Sequence, residues 1–375
     1  MPSKILVVGH TYMVDANREK FRALCRLHDD IDVTVVTPTV WKDYLVTLNA
    51  ETSESDRLHF VTVPTYLSGY ESLYFYRPRS IEQVLERAKP DIIHVEQGAN
   101  AFSYYQILRL KRRVCPEAKV LFFTWINLPY TQNFVRDSVE NYNLSHSDCA
   151  IAGNNDAEEI LRDRGFTKPI FVCPQIGVDP AFFAGEREQG EDSVPVLGFV
   201  GRFVEEKGIH TLLSALEGLK HLRWKLLLVG RGDLKELILE RAKRCGISDR
   251  LEIVDAVPHD EVPAHLRRMD VFVLPSETTP LWKEQFGHVL IEAMVCGLPV
   301  IGSDSGEIPN VIGEAGLVFR ERDAADLRSC LERMIEDKAL RLEYGSKGEE
   351  HVRVNYTHEA IAERNYAVYE RLLEA

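Results

Sequence analysis

The sequence predicts an α/β protein built from two doubly wound parallel-sheet domains. Three observations carry that expectation. The chain has 375 residues, at or beyond the size where one hydrophobic core stops growing. Its short apolar runs are continuous in Val, Ile and Leu rather than alternating, as in strands covered on both faces. The alternation of such runs with helical patterns is interrupted once by a polar segment and then begins again.

In the first half the runs are Ile5–Val8, Val33–Val36, Phe60–Val63, Ile92–Val95, Val120–Thr124, Cys149–Ala152 and Ile170–Cys173. Residues 185–195, GEREQGEDSVP, are charged and carry Gly and Pro without apolar periodicity, which marks a linker. The second half then runs through Val196–Val200, Lys225–Val229, Leu251–Val254, Val271–Leu274, Val300–Ile301 and Leu317–Phe319. Residues 1–185 and 186–355 are the expected domains. From Tyr356 to Ala375, Ile361, Tyr366, Tyr369, Leu372 and Leu373 mark an amphipathic helix that is expected to pack back on the first domain. Ligands of doubly wound sheets sit at the carboxyl ends of the strands, so a cleft between the domains is the expected active site.

Composition excludes several classes. Lys and Arg number 45 against 58 Asp and Glu, a net charge of −13, opposite to a broad nucleic-acid footprint. The opening MPSKILVVG reads as a buried strand, too short for a signal peptide, and no apolar stretch is long enough to span a membrane. Seven scattered cysteines without a CxxC pair argue against a disulfide scaffold or structural zinc and fit a reducing cytoplasm.

Two segments carry chemistry. The strand Val196–Val200 runs into Gly201-Arg202-Phe-Val-Glu-Glu-Lys207-Gly208, a glycine turn before a helix. Glycines admit close approach of an anion to backbone, and Arg202 and Lys207 are spaced to reach one diphosphate. A tight structural turn with solvated cations is the competing reading. After Val271–Leu274 come Pro275-Ser276, a polar loop, and Glu284-Gln-Phe286-Gly287-His288-Val289-Leu-Ile-Glu292-Ala-Met294. Glu284 is expected just before a helix that starts near Phe286–His288, with Glu292 two turns in. Two spaced carboxylates usually mean a solvated face, but Glu292 stands among apolar residues where an unpaired charge is costly.

Taken together, GRFVEEKG with Arg202 and Lys207, Leu228-Val-Gly230-Arg-Gly232, Pro275-Ser276, EQFGHVLIEAM and Cys296-Gly-Leu-Pro-Val-Ile-Gly-Ser-Asp-Ser-Gly306-Glu307 resemble the retaining GT-B-fold glycosyltransferases of family 4, the glycosyl transferases group 1. Ile176-Gly-Val-Asp179 is similar as well, so the likeness is dense in the second domain and thin in the first. It implies a GT-B fold of two Rossmann-like domains and a metal-independent, retaining transfer of a hexose from a UDP- or GDP-sugar to an acceptor hydroxyl, with no cofactor. By that likeness Arg202, Lys207 and Glu284 would be catalytic. Gly201, Gly230, Gly232, Val257, Phe286, Gly287, His288, Val289 and Glu292 would hold the donor, Glu292 on the ribose and the loop Ala256–His259 around the base. The sequence shows no evident nucleophile, which favours front-face departure assisted by the diphosphate.

The first domain departs from the family pattern. Gly9-His10-Thr-Tyr12-Met-Val-Asp15 holds a single glycine, and Thr124-Trp125-Ile-Asn127 stands where relatives carry a histidine. His10, Tyr12, Glu96, Gln97, Trp125 and Asn127 are the candidates for the acceptor or sugar side, with Glu96 and Gln97 expected to face the cleft and a buried cap the alternative. His288 stands where arginine is common. Asp30-Ile-Asp32 is formally a DxD but precedes a strand, so it is expected to be a turn, and no metal is expected. The run Arg109-Leu-Lys111-Arg112-Arg113 is expected to be a solvated helix end, with contact to an anionic membrane the alternative. The acceptor is open among saccharide, lipid-linked and small molecules. A nucleotide-sugar epimerase, a phosphorylase-like enzyme and a non-catalytic nucleotide-sugar-binding protein are the other readings; a dehydrogenase is disfavoured because no G-x-G-x-x-G follows the first strand.

Overall fold

The computed structural model describes residues 2–42, 47–51, 57–185 and 194–374. The chain divides into two compact units, 1–177 with 358–375 and 178–357. Residues 186–193 of the expected linker lie outside the described residues. The passage between units therefore falls at Gly177/Val178 and Thr357/His358 rather than near residue 185. There the Val178 amide donates to the Tyr356 carbonyl at 2.9 Å, and the segment Pro180–Phe183 is a short helix of the second unit.

In the first unit the strands are β1 (Ser3–Val8), β2 (Ile31–Pro38), β3 (Leu58–Val63), β4 (Ile92–Val95), β5 (Lys119–Thr124), β6 (Cys149–Ala152) and β7 (Ile170–Val172). They form one parallel sheet in the order β7-β6-β5-β4-β1-β2-β3. Their continuous apolar runs are explained by cover on both faces. One face packs on Ile81, Leu85, Tyr104 and Ile107 of helices Pro78–Ala88 and Phe102–Val114. The other packs on Phe21 and Leu24 of helix Glu19–Leu27 and on Ile361, Val368, Tyr369 and Leu372 of helix His358–Glu374. Two small antiparallel ribbons, Val40–Lys42 with Thr47–Asn49 and Thr65–Tyr66 with Phe75–Tyr76, were not expected from the sequence. Their strands are too short for a visible period. Asp32 lies inside β2, correcting the expected turn; only Asp30 is in the turn, where its carboxylate accepts from the Tyr366 hydroxyl at 3.0 Å.

The second unit holds β8 (Val196–Val200), β9 (Lys225–Val229), β10 (Leu251–Val254), β11 (Val271–Leu274), β12 (Val300–Ser303) and β13 (Leu317–Phe319), parallel in the order β10-β9-β8-β11-β12-β13. Both sheets thus begin in the middle, run to one edge, and return to build the other side. Strand order reverses between β1 and β4 in the first unit and between β8 and β11 in the second. Such switch points open a crevice at the carboxyl ends of the two strands, where doubly wound sheets bind ligands.

Candidate functional site

In the second unit both chemistry-bearing segments leave the switch point. Gly201 to Lys207 follows β8, and Pro275 to Glu284 follows β11. The two loops are joined by backbone: the Glu277 amide donates to the Glu206 carbonyl at 2.8 Å. Gly208 makes the junction possible. Its φ is +65°, and a Cβ there would stand 1.7 Å from the Pro275 carbonyl oxygen, so only glycine fits both the conformation and the space. Helix Ile209–Glu217 starts directly after it.

Lys207 and Glu284 are 77 residues apart and meet here, Nζ to Oε2 at 2.6 Å. The same oxygen accepts from Ser276 Oγ at 2.8 Å. The Lys207 ammonium also lies 4.6 Å from the centre of the Trp282 ring, a cation–π placement. Carboxylate, hydroxyl and indole together fix the position of one cation. Gly306 supports the pair from the loop after β12: a Cβ there would stand 2.0 Å from the Glu284 carbonyl oxygen. Helix His288–Val295 begins four residues beyond Glu284, with Gly287 as its N-cap and Phe286 buried beneath it. The positive end of the helix dipole thus starts four residues beyond the Glu284 of the ammonium–carboxylate pair.

Arg202 is on the same loop as Lys207 but reaches Glu206 at 3.5 Å with most of its side chain in solvent. The structure therefore brings Lys207 to Glu284 and leaves Arg202 as an exposed guanidinium on the rim. Glu292 is the fifth residue of its helix, little more than one turn in, which corrects the two turns expected when the spacing is counted from Glu284. It pairs with His259 Nε2 at 3.1 Å, and His259 stacks on Phe182 with ring centres 5.6 Å apart. The hydrogen bond that the His259 ring donates to Glu292 raises its pKa above the ordinary value, against the opposing effect of burial. Val257 is half-buried in the exposed loop just before His259. Gly230 and Gly232 end β9 beneath Gly201 and Phe203: a Cβ would stand 1.9 Å from the Gly201 oxygen and 2.3 Å from the Phe203 oxygen. His288 and Val289 open the helix, the first exposed and the second half-buried.

Trp282 escaped the sequence reading. Its loop has no period, and the only signal was an aromatic residue two positions before Glu284 in a polar stretch. The Thr279–Trp282 bridge that turns the indole back towards Lys207 appears only in the fold.

The first-unit candidates also gather at a switch point, but differently. Glu96 follows β4, and its side chain is fully buried rather than open to a cleft. One oxygen accepts from Lys20 Nζ at 2.6 Å and the other from Gln175 Nε2 at 2.9 Å. Burial alone would raise its carboxyl, but the Lys20 and His94 charges outweigh that and hold it below the ordinary range. His94 is pushed down to about 4 by burial and by Lys20, against the pull of Glu96, and its Nδ1 is 2.8 Å from the Tyr369 hydroxyl. Tyr12 is completely buried beside Glu96, which together with desolvation drives its pKa well up. The physical reason that these groups turn inward is the pairing itself: Lys20 neutralises a carboxylate that could not otherwise be buried.

Trp125 donates its single ring N–H to Gln175 Oε1 at 3.0 Å and covers Gly153, so it does not supply a histidine's donor. Asn127 is buried nearby. His10 is half-buried in an aromatic corner, stacked on Trp41 at 4.5 Å and edge-on to Tyr74 at 6.1 Å. Desolvation lowers its pKa despite Glu71, which keeps the ring neutral at pH 7. Gln97 links His10 Nδ1, at 3.4 Å, to the Ser103 hydroxyl. Among the described residues no group of three or more His, Cys, Asp or Glu is placed to hold a metal ion.

Comparison with known proteins agrees with this fold. Residues 185–351 match the family model described as glycosyl transferases group 1. The chain is similar to a lipopolysaccharide core biosynthesis glycosyltransferase, LpsE, of Rhizobium meliloti, 29% identical over 58% of this chain and 63% of the relative. It is similar to a D-inositol 3-phosphate glycosyltransferase of Corynebacterium jeikeium, 29% identical over 70% of this chain and 60% of the relative. The chain thus spans less than two thirds of the length of the curated relatives it matches. Among solved structures, a sucrose-phosphate synthase from Thermosynechococcus elongatus superposes with a TM-score of 0.74 at 21% identity over 99% of both chains. HepE of Anabaena, solved in complex with UDP, gives 0.69 at 16% identity over 98% of this chain and 100% of that one. These likenesses establish the fold, two Rossmann-like units of the GT-B class. The likeness to the glycosyl transferases group 1 family lies in residues 185–351, the greater part of the second unit.

Proposed function

We propose that the chain is a retaining, metal-independent glycosyltransferase of family 4 that moves a hexose from a nucleotide-sugar donor to an acceptor hydroxyl in glycan, glycolipid or polysaccharide synthesis. One observation carries this reading: the Lys207 ammonium held 2.6 Å from the Glu284 carboxylate, just ahead of the helix that begins at His288. A cation, a carboxylate and a helix N-terminus at the switch point of a parallel sheet suit a diphosphate that bears a sugar. Arg202 and Lys207 bind the diphosphate and stabilise its growing charge as the bond from the anomeric carbon to the phosphate oxygen breaks. The acceptor oxygen bonds to that carbon from the same face, and its proton passes to the departing phosphate oxygen. Glu284 binds sugar hydroxyls, Glu292 beside His259 binds the ribose, and the amides from Phe286 to Val289 contact phosphate and sugar.

Solved structures of HepE contain UDP and UDP-glucose, and a relative from Mycobacterium tuberculosis is named as GDP-mannose-dependent, which supports a nucleotide-sugar donor and brings both bases into the test. The seven cysteines, none of them in a disulfide, support a cytoplasmic setting. The experiment is a panel of UDP-, GDP- and ADP-sugars with EDTA present, read by thermal shift and donor hydrolysis. One donor should stabilise the protein and be hydrolysed, and Lys207→Ala and Glu292→Ala should lose the effect. Stabilisation by none of them overturns the reading, requirement for a divalent ion removes its metal-independent part, and an inverted anomeric product removes retention.

A further inference from the structure

Just past the carboxyl end of β1, the His10 ring is fixed in place and in protonation. It stacks on Trp41, 16° from parallel, and Tyr74 stands edge-on to both rings. Trp41 and Tyr74 are buried, which leaves 21% of the His10 side chain to solvent. The tautomer follows from the neighbours. Gln97 Nε2 lies 3.3 Å from the Glu71 carbonyl oxygen, which can only accept, so that end of the amide is its NH2 group. The other end, Oε1, accepts from the Ser103 hydroxyl. The second N–H of Gln97 therefore donates to His10 Nδ1, at 3.4 Å. A neutral imidazole that accepts at Nδ1 carries its hydrogen on Nε2. That N–H stands 3.8 Å from Glu71 Oε1, too far for a direct hydrogen bond, and the Glu71 side chain is largely exposed. The Glu71 backbone is held by Gln97, and the adjacent Ser72 carbonyl by the Phe102 amide at 3.0 Å.

A donor and a carboxylate at this spacing suit one chemical group. An oxygen placed to the side of a 3.8 Å gap lies within hydrogen-bond reach, about 2.8 Å, of both ends. It must accept from Nε2–H and donate to Glu71, which a hydroxyl does and a phosphate dianion or a carboxylate does not. An anion would also meet the Glu71 charge, while Lys20, the cation of this crevice, is sealed against Glu96. The groups beyond the ends of β4 and β5 are polar but neutral: a Cβ at Gly98 would come 3.3 Å from Asn100 Oδ1 and 3.6 Å from Thr124 Oγ1. We propose that His10 and Glu71 together bind a hydroxyl of an uncharged saccharide or polyol acceptor, with Gln97 as the positioning residue that holds His10 as a donor. His10 is then an anchor and not a base, because Nδ1 is occupied and Nε2 already carries its hydrogen. The inference rests on the transferase reading only in making this polyol the acceptor.

The test is NMR of the full chain with isotope-labelled histidine and no donor, the His10 signals being identified by their loss in His10→Gln. At neutral pH the ring should carry hydrogen on Nε2 alone. Gln97→Glu, whose carboxylate accepts from Nδ1–H, should move hydrogen onto Nδ1, a change that mere loosening of the loop does not produce. Titration with glucose or myo-inositol should shift the His10 signals further than the same concentrations of their monophosphates. Glu71→Gln should reduce that preference roughly ten-fold. The proposal is overturned if the unaltered ring carries hydrogen on Nδ1, if neither polyol shifts it, or if the monophosphates shift it as far. The donor panel is read separately. Failure there leaves a polyol site without a transferase, and failure here leaves a transferase that holds its acceptor by other groups.

Discussion

The two units repeat one topology and furnish its most important point in opposite ways. At the reversal of strand order in the second unit, Lys207 and Glu284 meet at the margin of solvent, a little of each side chain exposed, with Arg202 in the open. At the equivalent reversal in the first unit, Lys20 and Glu96 meet at the same distance, 2.6 Å, but are almost wholly sealed, and His94 and Tyr369 close the network behind them. The difference teaches that the crevice of a doubly wound sheet supplies a place and not a task. In the second unit its charges stand partly open at the carboxyl ends of the strands; in the first they tie helix Glu19–Leu27, the end of β4, the loop at Gln175 and the helix His358–Glu374 together. What the first unit presents beside that network is neutral and aromatic: His10, Trp41 and Tyr74.

That contrast can be broken or sharpened by experiment. The largest effect is expected from Lys20→Met, which strands the Glu96 carboxylate in the interior and should cost about 3–5 kcal/mol. Hydrogen exchange should show the loss in β1 and β4 and spare β8 and β11; equal losses in both sheets would erase the distinction. Next comes Lys207→Ala, expected to lower kcat by ~10²–10³-fold while leaving the melting of the first unit in place. A variant that unfolds instead would make this pair as structural as the buried one. Trp282→Ala follows. Loss of the ring from Lys207 should cost about 0.5–2 kcal/mol of transition-state binding, read in kcat/KM, with Trp282→Phe recovering most of it. The smallest effect concerns His259, whose pKa is raised by Glu292. The pair therefore stabilises fully below the unfolded value of about 6.5 and fades as pH rises through the folded one. With His259 largely exposed, it contributes under ~1 kcal/mol. Titration by NMR should show Glu292→Gln bringing the ring back towards its ordinary value.

How much of this was legible depends on the range over which the physics acts. The thirteen strands of the two sheets show in the sequence because burial on both faces writes itself into consecutive residues. Helix His358–Glu374 shows for the same reason, as a period. The role of Glu96 does not show. A charged residue at a strand end is read as facing water unless its partner is known, and that partner, Lys20, is 76 residues away. Trp282 is hidden in the same way, by a similarly long separation from Lys207. The motif around Glu284 and Glu292 is legible as chemistry, but its pairing is not: Glu284 goes to Lys207 and Glu292 to His259.

The passage of the chain out of the first unit at Val178 and back at His358 has a consequence for synthesis. Residues 1–177 leave the ribosome first, yet Tyr369 of the returning helix, which bonds the buried His94, follows only after the whole of residues 178–357. At bacterial or eukaryotic elongation rates that delay is on the order of 10–40 s. Throughout it, the face of β1 and β4 that this helix covers stands open, whereas the second unit has every residue it requires as soon as residue 357 is made. Birth order and completion order are therefore inverted: the unit made second can be finished first, and the nascent first unit is the one that needs shelter.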